Sequence, residues 1–338
     1  MVSDRIINAS VSREVLSYNF EIDEKLSAFI LRNNHRRIKV FGIELPQIIS
    51  RKDKSIIWIN NPQYRFDIVP LEIYNKIFLD DIPVFISSCS EELVPFFVKN
   101  KFEAIKVGRE ATLVLNEDNF KKRSLIELVK SGLRHGIVEE IPYSAENALV
   151  LEEFKKHCAH GHEPQLKHFF NDKFIAASRL FVFKDADGEW QGGITIAPKE
   201  DGKVITELIL RRKNSPRGTM EALVFRIYEL LKNEGSISWS LGEVPYVVYN
   251  SKLFSKEFFI NYTGRRLKFA YNYLGLFNFK NKFSPRWNDV YICCKPKLTI
   301  STLLKISWRS NMLKLILEKP FIILSEKFNS DSIKSYQN

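Results

Sequence analysis

Residues Glu207–Tyr246 read ELILRRKNSPRGTMEALVFRIYELLKNEGSISWSLGEVPY, and the succession of textures in this stretch decides the fold. An apolar run, Val204 to Leu210, meets two arginines and a lysine. A turn follows on Asn214, Ser215, Pro216 and Gly218. Met220, Leu223, Val224, Ile227, Tyr228, Leu230 and Leu231 then recur at three- to four-residue spacing, which predicts a helix with one apolar face. Glu234-Gly235 stops it, as Gly does just past a last turn. A second apolar run, Ile237 to Leu241, completes a strand, basic loop, helix, strand order: a βαβ unit. A helix start beside a basic loop suits an anion.

The same texture extends on both sides. Downstream of a helical connector, FKKRSLIELVKSGLRHG, IVEEI reads as a strand and Ala145 to Cys158 as a helix. Leu180–Phe183 and Gly192–Ala197 form a strand pair around the turn at Asp185 to Gly188. Tyr249 to Phe258 reads as a helical piece, and Tyr291 to Cys294 as the strand that ends this unit. A hairpin, a strand, a phosphate-loop position, a helix and a strand is the order of the acetyltransferase (GNAT) fold. Upstream, residues 1–35 look mostly helical; IKVFGIEL, SIIWI and IPVFISS are strand-like, EELVPFFVKN a short helix, and Phe102 to Leu115 a strand. Two units of similar size suggest an α/β (α+β) chain of two tandem acetyltransferase-like domains. The expected boundaries are 1–120 for the first, 121–136 for the connecting helix, 137–297 for the second, and 298–338 for a basic helical tail.

The length of 338 residues suits two domains. A net charge of +11 predicts a polyanionic partner, nucleic acid or an anionic membrane. The charge is concentrated: residues 251–297 hold ten Lys or Arg against two acids, Glu257 and Asp289. The four cysteines show no framework or CxxC spacing, which fits a reducing, cytoplasmic compartment. The N-terminus has no apolar signal core, and no run of 18 uncharged apolar residues occurs.

Several motifs admit chemistry. HCAHGHEPQLKH carries His157, Cys158, His160, His162 and His168, but no second ligand pair follows, so no metal is expected. The loop RRKNSPRGT, Arg211 to Thr219, sits where acetyltransferases hold the coenzyme A pyrophosphate on closely spaced glycines. Here there is Pro216, which has no N–H, and the single Gly218, so coenzyme A is disfavoured while an anion is still welcome. Tyr271 to Trp287 interleaves aromatics with Lys280, Lys282 and Arg286, a pattern that serves base stacking and phosphate neutralisation or, as a strand and loop, a core. Glu207, Glu221 and Glu243 are the acids of the opening stretch. A carboxylate in the apolar strand of Glu207 is costly unless a cation such as Arg211 or a substrate ammonium meets it; Glu221 suits a helix first turn. From Leu298 onward, Leu303, Leu304, Trp308, Leu313, Leu315, Ile316 and Leu317 are interspersed with Lys305, Arg309, Lys314 and Lys319, an amphipathic pattern that fits a membrane interface or packing on its own domain.

These residues resemble the cytosolic synthase domain of the phosphatidylglycerol lysyltransferases, the multiple peptide resistance factor family, over roughly Phe102 to Ile292. KVGREATLVL resembles the family's KIGEEA-type strand, SPRGTME its small-P-x-G-x-M-D turn, WSLGEVPY its x-LG-x-AP-L strand end, and Tyr271 to Trp287 its Y-x-x-x-GL-x-x-FK-x-KF-x-P-x-W element. Leu210 and Val290 stand where the family carries Arg, and the family's transmembrane portion is not matched. The resemblance implies a tandem acetyltransferase-like fold that moves an aminoacyl group of lysyl type from aminoacyl-tRNA to a hydroxyl of phosphatidylglycerol or a related lipid. It implies the acceptor end of tRNA and an anionic phospholipid surface as partners, a cytoplasmic location at the inner membrane face, and no cofactor. Glu207 and Glu243 are the expected catalytic acids; Arg211, Arg212, Arg217, Gly218, Lys280, Lys282 and Arg286 are the expected phosphate contacts. A peptidyl transferase of the Fem type, a coenzyme A-dependent N-acyltransferase and a non-catalytic RNA- or membrane-binding relative are the alternatives.

Overall fold

The computed structural model describes residues 38–40, 43–45, 47–49, 56–60 and 83–322, apart from 168, 170–171, 200–201, 248–252 and 254. The helical reading of residues 1–35 lies outside the described residues. Twelve strands are described. They are β1 (Ile38–Val40), β2 (Ile43–Leu45), β3 (Gln47–Ile49), β4 (Ile56–Asn60), β5 (Val84–Ser90), β6 (Glu103–Val114), β7 (Gly136–Ile141), β8 (Arg179–Asp185), β9 (Trp190–Pro198), β10 (Lys203–Arg211), β11 (Ser238–Pro245) and β12 (Arg286–Lys295). The helices are α1 (Val94–Lys99), α2 (Arg123–Leu133), α3 (Ala145–Lys156), α4 (Thr219–Asn233), α5 (Lys256–Arg266), α6 (Tyr273–Asn281) and α7 (Ile300–Arg309), and residues 312–322 are also helical.

Ten of the strands form one sheet in the order β3-β4-β5-β12-β6-β11-β10-β9-β8-β7. Read outward from its central antiparallel pair, β12 and β6, the sheet repeats itself. On one side β5 is antiparallel to β12, β4 parallel to β5 and β3 antiparallel to β4. On the other side β11 is antiparallel to β6, β10 parallel to β11 and β9 antiparallel to β10. Each half therefore lends its closing strand to the other half. Sequence order alone puts Tyr291–Cys294 at the end of the second unit; instead β12 inserts between β5 and β6. Backbone donors at a sheet edge need partners, and the exchange supplies them for both halves at once. The whole is the α/β, acetyltransferase-like arrangement expected from the opening stretch.

Helix α4 follows β10 and returns the chain to β11, which lies parallel to β10. Its apolar positions all meet the interior: Met220, Ala222, Leu223, Val224, Ile227, Tyr228 and Leu231 are buried. The main core places them with Trp239 and Leu241 of β11, Phe181 and Phe183 of β8, and Leu125 and Val129 of α2. Fully burying one such side chain contributes roughly 1.5–3 kcal/mol, so this cluster dominates the stability of the C-terminal half. Gly235, in a left-handed conformation, closes the helix, with the Ser236 N–H reaching back to Leu231 O at 3.0 Å.

Two readings of the sequence change. The aromatic element from Tyr271 is a helix, α6, over its first part rather than a strand and loop. Asn272 caps it by accepting from Gly275 N at 2.9 Å. The helix sought over Tyr249–Phe258 begins only at Lys256, where Ser255 accepts from Phe258 N at 3.1 Å. The tail packs on its own chain through Leu298 and Ile306, which join Trp58, Phe85, Ile105 and Cys294. No helix among the described residues is long and apolar enough to cross a membrane.

Candidate functional site

The site is a fork. Strands β10 and β11 pair at Lys203–Ser238, Val204–Trp239 and Ile205–Ser240, and then part. Both carry an irregularity where they separate: β10 between Thr206 and Leu208 against β9, and β11 between Ser240 and Glu243 against β6. A bulge re-aims side chains and increases local twist, which is what two parallel strands need in order to diverge. The fork is pinned by Trp239 Nε1 donating to Thr206 Oγ1 at 3.0 Å. Ser240 holds the β11 bulge: its Oγ accepts from Gly242 N at 3.0 Å and donates to Glu110 Oε1 at 2.5 Å. Gly242 adopts φ +87°, a conformation that disfavours any side chain.

The opened fork forms a cavity of about 1470 Å³, above the roughly 300–1,000 Å³ of ordinary small-molecule sites. Its wall includes Glu207 and Arg211 of β10, Arg217 and Gly218 of the following loop, and Glu243 of β11. Leu303, Ile306 and Leu315 of the tail line the same space. The basic loop and the tail thus share one cavity.

The polar heart of the cavity is built from β6, β11 and α6. Glu243 and Glu110 are direct cross-strand partners, an arrangement that is unfavourable when both are charged. Burial, and then the Glu110 carboxylate, push Glu243 up to about 7, against the opposing pull of Ser88, Lys280 and Lys199. Lys280 is 3% exposed. Its Nζ donates to the backbone oxygen of Glu243 at 2.9 Å. Burial pushes its ammonium down to about 7, although Glu243 and Glu110 pull the other way. Burial also lowers Lys199 and raises Tyr246 and Tyr271. A carboxyl and an ammonium both drawn toward neutrality in one cavity can exchange protons with a substrate near pH 7.

The sequence-predicted residues divide into groups. Glu207 sits at the β10 irregularity, half-buried in the cavity wall. Arg211 and Arg217 are exposed at the cavity and have no ion pair among the described residues. Three other expected phosphate contacts are already engaged. Arg212 pairs with Glu189 at 3.0 Å, Lys282 with Glu221 at 2.7 Å, and Arg286 with Glu117. Lys280 is buried against the Glu243 backbone oxygen rather than placed on an outer surface. Gly218 caps α4 at φ +91° and backs onto α2, where an added Cβ would lie 2.1 Å from Leu128 O and 2.7 Å from Gly132 N. Its smallness serves helix packing.

The sequence reading passed over Glu110, Ser88 and Lys199. Glu110 gives no signal like that of Glu207, because its strand also carries Glu103, Lys106 and Arg109; its pairing with Glu243 is a matter of register. Of the histidine-rich segment, His157 pairs with Glu153 and His160 with Glu163, and His168 lies outside the described residues. Among the described residues no three His, Cys, Asp or Glu side chains converge as a metal site.

Comparison with known proteins gives this geometry a family. The model described as phosphatidylglycerol lysyltransferase, C-terminal, matches residues 78–294. A curated relative, the phosphatidylglycerol lysyltransferase of Bacillus subtilis (strain 168), is 26% identical over 136 residues, which are 39% of this chain and 16% of that protein. The alignment thus spans well under a fifth of that relative's length. The structure of L-PGS from Bacillus licheniformis superposes with a TM-score of 0.63 at 20% identity, covering 85% of this chain and 96% of the other. The C-terminal domain of a putative lysylphosphatidylglycerol synthetase from Agrobacterium fabrum gives 0.61 at 18% identity, with 79% and 84% covered. At such identities these two structures establish the fold. The family model spans more than half of the chain, including the fork and every wall of the cavity except the one supplied by the tail, and the chain belongs to the phosphatidylglycerol lysyltransferase C-terminal domain family.

Proposed function

We propose that the chain moves an aminoacyl group of lysyl type from aminoacyl-tRNA to a hydroxyl of phosphatidylglycerol, or of a related lipid, at the cytoplasmic membrane face. The observation that carries this reading is the make-up of one cavity: cationic at Arg211 and Arg217, carboxylate-lined at Glu207, Glu110 and Glu243, and apolar at Leu303, Ile306 and Leu315. A nucleotide phosphate, an amino acid ammonium and an acyl chain each find a complementary wall.

In this mechanism Arg211 and Arg217 hold the terminal phosphates of the acceptor end, and Glu207 receives the aminoacyl ammonium. The lipid hydroxyl oxygen attacks the ester carbonyl carbon, and Glu243 takes the hydroxyl proton. The bond from that carbon to the ribose oxygen then breaks. The leaving ribose hydroxyl regains its proton from Glu243, so no cofactor enters the balance. Lys280 offsets the charge that develops on the carbonyl oxygen. The donor is already an activated ester, so positioning supplies much of the rate. Coenzyme A fits the loop poorly: Pro216 has no N–H to offer, and Gly218 is occupied against α2.

The test is incubation of the chain with radiolabelled aminoacyl-tRNAs and phosphatidylglycerol in mixed micelles. Label extracted with the lipid, highest for lysyl-tRNA, is expected. Lipid free of label for every amino acid refutes the acceptor assignment, and label in a peptide or cell-wall precursor moves the chain to the Fem-type reading.

A further inference from the structure

The C-terminal helices have a second face. Toward the body, Leu303, Ile306, Ser310 and Leu315 line the cavity. Away from it, Ile300, Leu304 and Trp308 are 77%, 53% and 66% exposed, and Leu317 and Phe321 are 64% and 73% exposed. Residues four apart on a helix drift by only about 40° around its axis, so Ile300, Leu304 and Trp308 form one continuous stripe. Lys305 and Arg309, both half-buried, each follow a stripe residue, about 100° further round the helix, and border the stripe between it and the Ile306 edge of the buried face. Neither has an ion pair among the described residues. Single exposed apolar side chains are ordinary, but an aligned set bordered by cations marks a contact surface.

We propose that this outer face docks on a bilayer containing anionic phospholipid. Ile300, Leu304 and Trp308 enter the acyl-chain boundary, while Lys305 and Arg309 meet the lipid phosphates. Charge complementarity selects an anionic surface, and the apolar stripe selects a bilayer over a nucleic acid, whose backbone offers it nothing. Because the inner face of the same helices lines the cavity, docking brings an acceptor lipid beside its site. That last consequence rests on the lipid-acceptor reading; the docking does not.

Flotation of the full chain with vesicles tests it. Vesicles of phosphatidylcholine alone are compared with vesicles carrying about one third phosphatidylserine, or the same share of phosphatidylglycerol. Both anionic compositions should retain about tenfold more protein than the neutral one, and salt should weaken the retention. The double variant Leu304→Glu/Trp308→Glu should lose about tenfold in retention with an unchanged unfolding temperature, and Lys305→Gln/Arg309→Gln should flatten the salt dependence. Retention equal in wild type and both variants overturns the proposal. So does a dimer that the Glu variant dissociates in a chain that never floats, and so does loss of tRNA binding with flotation intact. Transfer to micellar phosphatidylglycerol separates the two readings. A chain that floats but labels no lipid keeps the docking and loses the acceptor; one that labels micellar lipid but never floats does the reverse.

Discussion

Replacing Glu243 by Gln should make the protein more stable and less active, and the size of the first effect follows from the site. Glu243 stands directly across from Glu110 in a cavity wall, and burial with that second carboxylate holds it at about 7 instead of 4.5. The folded chain binds this proton more tightly than the unfolded chain does. Glu243 therefore costs nothing below pH 4.5, costs progressively more between 4.5 and 7, and reaches its full cost above 7. At about 1.4 kcal/mol per pH unit, that full cost is ~3 kcal/mol. Gln is neutral throughout and keeps an acceptor for Ser88. An unfolding entropy of about 2.1 cal/mol/K per residue over the chain turns ~3 kcal/mol into a rise of about 4–5 °C at pH 8. Near pH 5 the gain shrinks to less than ~1 kcal/mol. Calorimetry of wild type and Glu243→Gln at the two pH values reads this directly, and the lipid-labelling assay should fall by about a hundredfold or more in the same variant. A Gln variant that is less stable at pH 8, or whose gain is equal at both pH values, would show that Glu243 is already ionised at no cost, and the reasoning fails.

Other expectations concern the same cavity. The wild-type transfer rate should peak near pH 7, about threefold above its values at pH 6 and pH 8, because Glu243 loses its proton on the acid side and Lys280 loses its own on the alkaline side; a flat profile removes Glu243 as the base, and a rise continuing through pH 8 removes Lys280 as the cation. Arg211→Gln and Arg217→Gln should each weaken tRNA binding and reduce the salt slope by about 1. Lys282→Gln and Arg286→Gln, whose cations are held by Glu221 and Glu117, should change the slope less, as filter binding across a salt series will show. Gly218→Ala places a methyl against Leu128 O at positive φ and should destabilise by about 3 kcal/mol or more in urea titrations. An unchanged urea midpoint would mean that α2 and α4 are not packed as described.

Local rules carried much of the architecture. The periodicity of Met220 to Leu231 located α4 and its buried face, because a helix with one apolar stripe has one way to bury it. Pro216 and the lone Gly218 argued against a glycine-rich phosphate cradle, and the loop turned its glycine to helix packing instead. The aromatic element misled, because Tyr, Phe and Trp are common in strands, whereas the Asn272 cap commits its first part to a helix. Lys280 on that helix then falls inside the cavity, since a helix turns residues through all directions where a strand alternates between two.

The sequence by itself determined the βαβ unit, its helix and stop, the basic loop, and the family to which these belong, because each is encoded by neighbours within a few residues. Only the tertiary structure decided the exchange of β12 and β6 between the halves, the fork that opens after Ile205 and Ser240, and the register that sets Glu243 opposite Glu110. Those depend on pairings between residues 35 positions apart at the fork and more than a hundred apart elsewhere. A one-residue slip in such a pairing sends every side chain of a strand to the other face, so the chemistry of the site is fixed by register, which composition and spacing do not encode.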